Sequence, residues 1–279
     1  MRFLKSIFEF YINSSIHVAL AVVAITCVTY FEFDIPLENY VLGFLGFATI
    51  TGYNIVKYFG LAKFHHRSLS NRLKTIQVFS FFCFIAMCYF LWQLNNYIIG
   101  AVVLFGCITF LYAIPLLPNR IFVDQKKKLR SISGLKIYII ALVWSGVTVI
   151  LPLLSDQFEL YDDILLTMLQ RFIFVILLML PFEIRDLKYD SIKLATIPQR
   201  IGIKKTKQIG LVLAIVILAL EFFKDSISQH HMISLSMILV VTLIFLKYAR
   251  KDQKAYYSSF WVESIPIIWL GLYWLLSSF

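Results

Sequence analysis

The sequence predicts an all-α polytopic membrane protein, a single bundle of nine transmembrane helices spanning residues 1–279. Three observations carry that expectation. Of 279 residues, 60% are hydrophobic and only 15% are charged, whereas soluble domains carry roughly a quarter charged residues. The apolar residues fall in runs of spanning length, about 20 residues each, separated by charged or turn-rich breaks. The positive charge is confined to alternate breaks, which is the positive-inside pattern.

The runs are 12–31, 39–59, 75–92, 96–115, 135–154, 164–184, 210–223, 232–247 and 259–277. The first follows a basic start, Arg2 and Lys5, and shows no small-residue cleavage site, so it reads as a retained span rather than a removed signal. The seventh is short at 14 residues, with room to extend back towards Lys205. Basic residues cluster after the second run (Lys63, Arg67, Arg72, Lys74), the fourth (Arg120 to Lys136), the sixth (Arg185 to Lys207) and the eighth (Lys247 to Lys254). Together with Arg2 and Lys5 these account for 23 of the 26 lysines and arginines. The opposite breaks carry Lys224 alone among basic residues, and are acidic at Glu32, Asp34, Glu38, Asp156, Glu159, Asp162, Asp163, Glu221 and Asp225. One missed helix would scramble this partition, so it sets the amino terminus inside and the carboxyl terminus outside, in a bacterial cytoplasmic (inner) membrane.

The net charge of +10 is accounted for by this bias, and nucleic acid is not an expected partner; the lipid bilayer is. Cys27, Cys83, Cys88 and Cys107 all lie in apolar runs and none forms a CxxC pair, which suits small buried apolar residues. The pairs His65-His66 and His230-His231 lie on opposite sides of the membrane and cannot share a metal.

The chemistry concentrates where the sixth run meets the cytoplasm. Glu183, Asp186 and Asp190 are spaced i, i+3, i+7, which puts them on one face of a helix. Three carboxylates on one face repel unless a positive charge stands between them. Mg²⁺, a hard cation that takes oxygen ligands and bridges to phosphates, would satisfy them. A solvated helix end, with Arg185 and Lys188 as local partners, is the alternative. Arg171, in the middle of the same run, is costly in a bilayer and should face the bundle interior. At roughly 18 Å from Glu183 along a helix, it orients an acceptor in a cavity or pairs with a buried polar group.

The segment Glu183-Ile184-Arg185-Asp186-Leu187-Lys188-Tyr189-Asp190 resembles the second aspartate-rich motif, DxxDxxxD, of the UbiA superfamily of intramembrane prenyltransferases. Thr196-Ile197-Pro198 is similar to the element that follows it. Leu111-Tyr112-Ala113-Ile114-Pro115, Gly134-Leu135-Lys136 and Trp144 resemble the middle of that family. The resemblance implies an enzyme that binds an isoprenyl diphosphate through Mg²⁺, ionises it, and passes the prenyl group to a lipophilic acceptor. The family's first motif, NDxxDxxxD, belongs at the end of the second run. There Asn54 matches, but Ile55, Tyr58 and Ala62 stand where its aspartates would be, and no Asp or Glu occurs between residues 39 and 123.

One Mg²⁺ site rather than two is therefore expected, with Glu183, Asp186 and Asp190 as its ligands. Asn54, Lys57, Lys63, Arg67, Arg185 and Lys188 are the candidate diphosphate ligands, since Lys acts as a point charge towards phosphate and Arg binds it bidentately. The competing reading makes the basic residues an ordinary positive-inside loop, with Lys57 snorkelling to the interface. Tyr53, Tyr58, Tyr112, Tyr189 and Arg171 are candidates to line an acceptor or prenyl cavity, aromatic faces being suited to a carbocation. The alternative to an active transferase is an inactive relative that binds or carries an isoprenoid lipid, or acts as a membrane partner. A transporter finds less support, because no pair of broken helices occupies matching positions.

Overall fold

A computed structural model describes residues 2–62, 71–113, 134–155, 161–189 and 195–277. Among these residues the protein is helical with no strands. The helices are α1 (Arg2–Asn13), α2 (Ile16–Glu32), α3 (Asn39–Ala62), α4 (Asn71–Trp92), α5 (Asn96–Ala113), α6 (Leu135–Ser155), α7 (Tyr161–Asp186), α8 (Ile197–Glu221), α9 (Gln229–Tyr248) and α10 (Ile265–Ser277), the last preceded by a π-helical segment, Tyr257–Val262.

A helix stands at each of the nine apolar runs. Among the described residues, five segments are long and apolar enough to cross a membrane: Leu73–Trp92, Leu135–Ser155, Asp162–Asp186, Gln229–Tyr248 and Tyr257–Ser277. The pair α1 and α2, bent by 56°, makes a sixth if taken as one broken span.

The first run is therefore not one straight helix. It breaks at Ser14 and Ser15, where Ser15 takes the left-handed φ of 64° that non-glycine residues rarely adopt. The break persists because other groups hold it: Ser15 donates to Asn54 Oδ1 at 2.8 Å, and Asn54 Nδ2 donates to the Ser14 carbonyl at 3.0 Å. The seventh run is longer than its apolar stretch suggests. α8 begins at Ile197 with Pro198 in its first turn, and Gln199 accepts from the Thr196 backbone N–H at 3.0 Å. It bends at Gly202, whose φ of 80° is open to glycine alone at little cost.

Each helix packs on its neighbour in sequence from α2 to α4 and from α5 to α10. α10 returns to α2, which also packs on α6. α2 is consequently the central strut, buried from His17 to Tyr30 on nearly every side. Lipid offers no hydrophobic gain to helix association, so close van der Waals approach must hold the bundle. A Cβ at Gly146 would fall inside the Phe105 ring, and one at Gly210 would collide with Leu246. These two glycines allow α5–α6 and α8–α9 to approach closely. The outward faces carry large apolar side chains, among them Phe81, Phe82 and Ile85 of α4 and Leu211, Val212 and Ile215 of α8. A surface of that kind is suited to lipid and costly in water. The protein is an integral membrane protein.

Charge pairs gather at the two ends of the bundle. Glu32, Glu221 and Lys224, from the acidic breaks, meet at one end, where Asp163 accepts from the Asp225 N–H, and two separate pairs, Lys136–Asp186 and Lys188–Asp252, stand at the other.

Candidate functional site

α7 brings Glu183 and Asp186 to the basic end of the bundle, one turn apart. The Glu183 side chain is 2% exposed and that of Asp186 17%. Burial without compensation would be costly for two carboxylates, and two cations answer it. Lys136, at the start of α6, places its ammonium 3.9 Å from Glu183 Oε1 and 3.4 Å from Asp186 Oδ2. Arg185 holds the other Asp186 oxygen from the neighbouring position at 2.8 Å. Asp190 lies outside the described residues, and no group of three metal-ligating side chains occurs among those described. Of the expected three carboxylates, the described residues show two, with the Lys136 ammonium near both. Lys188 does not join it: its ammonium pairs with Asp252 at 3.0 Å, and that partner holds it above the ordinary lysine range. Tyr189 is 76% exposed.

The end of α3 carries the residues that correspond to the missing motif, and most of them turn towards the α1–α2 break. Asn54, 3% exposed, spends its amide on Ser14, Ser15 and Ser80, the last at 2.8 Å. Lys57 donates to Ser15 Oγ at 2.8 Å, and Tyr58 donates to the Asn13 carbonyl at 2.9 Å. Lys57 is exposed, and its ammonium turns to Ser15 at the break between α1 and α2. The Asn54 amide thus ties α3 both to the α1–α2 break and to α4. Tyr53 accepts from Trp144 Nε1 at 3.1 Å, tying α3 to α6. Lys63 and Arg67 lie outside the described residues, as does the side chain of Tyr112.

The sequence reading missed Glu263. It lies just after the π-helical segment, and the charges of both Lys57 and Arg185 act on it. This half-buried carboxylate thus stands within electrostatic reach of cations at the ends of α3 and α7. π-Helical turns occur often at functional sites, and an ionisable residue within an apolar run is a functional candidate by default. Applying that rule to the last run, and not only to Arg171, would have singled out Glu263.

Arg171 resolves in favour of structural pairing. It donates to the Ile25 carbonyl at 3.0 Å and to Thr29 Oγ1 at 3.2 Å, lies 3.6 Å from Glu32, and stacks 4.8 Å over the Trp269 ring. Glu32 also takes Lys224 at 2.5 Å and Thr167 at 2.8 Å, while Glu221 takes Lys224 and Gln170, each at 2.9 Å. His231 closes the group, 3.7 and 3.8 Å from the two carboxylates. Two acids and two bases thus balance in a nearly dry network joining α2, α7, α8, α9 and α10. The cavity beside it, about 10 Å³, has room for no more than about one water. No acceptor fits there.

The chain resembles solved structures along its whole length. A UbiA homolog from Archaeoglobus fulgidus bound to GPP and Mg²⁺ superposes with a TM-score of 0.64 at 11% identity, covering 97% of this chain and 100% of that one. A UbiA homolog from Aeropyrum pernix K1 gives 0.63 at 14% identity, with 94% and 98% covered. A digeranylgeranylglyceryl phosphate synthase gives 0.58 at 14% identity, with 99% and 97% covered. No family model matches the sequence, and no curated protein matches it.

Proposed function

From the UbiA fold that this chain shares with those structures, we propose that it is a divergent UbiA-like protein that binds an isoprenyl diphosphate at the inner end of α7 and passes the prenyl group to a lipophilic acceptor. The observation that carries the reading is the Glu183–Asp186 pair. It stands at the end of α7, with Glu183 buried and Asp186 half-buried, and Lys136 and Arg185 pair with it. The whole chain, 1–279, acts as one unit of nine crossings in a bacterial cytoplasmic membrane, amino terminus inside and carboxyl terminus outside.

The donor set fits a single Mg²⁺. Both carboxylates are hard oxygen donors, and one ammonium already lies within 3.9 Å of each, so a small cation can stand between them. Glu183 and Asp186 would hold it, with Asp190 as a third candidate ligand, and diphosphate oxygens and water would complete its coordination. When bound, the ion neutralises charge on the departing diphosphate. The rest falls to the chain. Lys57 and Arg185 supply positive charge to the diphosphate as its C–O bond breaks, and Lys63, Arg67 and Lys188 are further candidates. Tyr53 and Tyr58 lie at the same end of α3, where aromatic faces suit an allylic cation. The new bond forms to the acceptor, which gives up a proton.

The second reading is a protein that binds an isoprenoid lipid without turning it over. It is favoured by the commitment of Asn54 and Lys57 to the α1–α2 break, since α3 then offers no carboxylate and few free groups to a second metal. Purified protein incubated with labelled isoprenyl diphosphates and Mg²⁺ separates the two. Acceptor-stimulated release of pyrophosphate supports the transferase. Saturable binding without release supports the carrier.

A further inference from the structure

We propose that Lys136 is a tethered counter-ion that holds the metal position between Glu183 and Asp186, so that divalent metal enters only together with a diphosphate. The inference deepens the proposed function and rests on it for the identity of the anion.

Three features of the site lead there. First, Lys136 is the one described cation that approaches both carboxylates, and it does so from a different helix, α6 rather than α7. Second, among the described residues charge is already balanced without metal: Lys136 and Arg185 stand against Glu183 and Asp186. A divalent ion added to that group would raise its charge to +2 and would sit against an ammonium at close range. Third, Lys136 is able to move. Its side chain is 26% exposed, against 2% for Glu183, and lysine carries its charge on a flexible four-carbon stem with three rotatable donors. Arg185 is less free, being paired with Asp186 through both Nε and a terminal nitrogen.

A diphosphate changes the balance. Its oxygens accept the Lys136 ammonium, and the vacated carboxylate oxygens then take the metal. Ammonium and metal end up sharing one anion instead of competing for one pair of carboxylates. The order of binding follows, and it serves a site of this kind. Free divalent cations are abundant in cytoplasm, and a site that ignores them until the diphosphate arrives holds no idle metal.

The test uses the full-length protein in detergent and Mn²⁺ as a spectroscopic probe of the metal position, read by electron paramagnetic resonance. The parent should bind Mn²⁺ weakly alone and at least tenfold more tightly with geranyl diphosphate or inorganic pyrophosphate. Lys136→Met should bind Mn²⁺ alone at least tenfold more tightly than the parent, with the diphosphate-induced gain reduced. Lys136→Arg should behave as the parent. Adding Glu183→Gln and Asp186→Asn to Lys136→Met should abolish the gained affinity. Equal Mn²⁺ affinity in parent and Lys136→Met overturns the inference, as does gained affinity that survives loss of both carboxylates. Lys136→Gln serves in place of Lys136→Met if the latter is not monodisperse. A parent that binds no diphosphate, beside a Lys136→Met that gains Mn²⁺, would sink the functional reading and leave the counter-ion in place. Diphosphate binding with no change in metal affinity would do the reverse.

Discussion

Single residues at the end of α3 illustrate how one side chain can match a motif and serve another purpose. Asn54 occupies the motif's asparagine position, yet its amide donates to Ser14 and Ser80 and accepts from Ser15. Asn54→Ala would leave the buried Ser14 carbonyl and Ser15 hydroxyl without that partner, at a cost of about 1–3 kcal/mol, measurable as a lower Tm in detergent. Lys57 tests the site more sharply. If its ammonium serves the diphosphate as well as Ser15, Lys57→Met should weaken geranyl diphosphate binding by about 1.5–3 kcal/mol, the range for a hydrogen bond to a charged group. A purely structural Lys57 would lower Tm and leave affinity unchanged. The residue types of the site were legible in the sequence, because carboxylates and lysines are scarce in apolar runs and each one is conspicuous. Their partners were not. Lys136 meets Glu183 from 47 positions away in the chain, and Glu263 comes within electrostatic reach of Lys57 and Arg185 only once the last helix has returned to α2.

At the scale of helices, the outer charge network is the counterpart of the inner site. Glu32, Glu221 and Lys224 read in the sequence as water-facing loop residues, since they border their apolar runs. Their side chains are instead no more than 7% exposed, gathered around Arg171. An intramembrane arginine announces that a partner exists, but choosing Glu32 requires knowing that α2 and α7 pack together. Breaking a buried pair by removing one member costs about 3–5 kcal/mol, because the other charge is stranded. Arg171→Met should therefore lower stability strongly. The double change Arg171→Met with Glu32→Gln should cost clearly less than the sum of the two single changes, as a thermal-denaturation double-mutant cycle would reveal. Additive losses would mean that the two groups do not share a network. The close helix contacts make a separate prediction. Gly146→Val should force α5 away from α6 because the Phe105 ring occupies the space a Cβ needs, and a drop in Tm with loss of monodispersity is the expected outcome. An unchanged Tm would mean that α5 is free to move outward at little cost. The helices themselves were largely legible, since apolar runs bounded by charge mark them. The break at Ser14–Ser15 was not, because its left-handed serine is held by Asn54 from another helix rather than by any local signal.

For the molecule as a whole, topology and site are one claim. The proposed topology has Lys251 inside and Asp34 outside, and single-cysteine variants at these positions should label from opposite faces of inverted and right-side-out vesicles. Labelling of both from one face would contradict the nine-crossing arrangement. Fold class was readable because the lipid solvent constrains composition so strongly, and the UbiA-like architecture then followed from a short acidic motif at one helix end. The central claim is that the inner end of α7 is a diphosphate site. Its most direct measurement is equilibrium binding of labelled geranyl diphosphate to the purified protein with and without Mg²⁺, beside a Glu183→Gln, Asp186→Asn double variant of equal thermal stability. The account predicts saturable binding that Mg²⁺ strengthens in the parent and that the double variant loses in its Mg²⁺-dependent part. Binding of equal strength and equal Mg²⁺ response in the two proteins would contradict it.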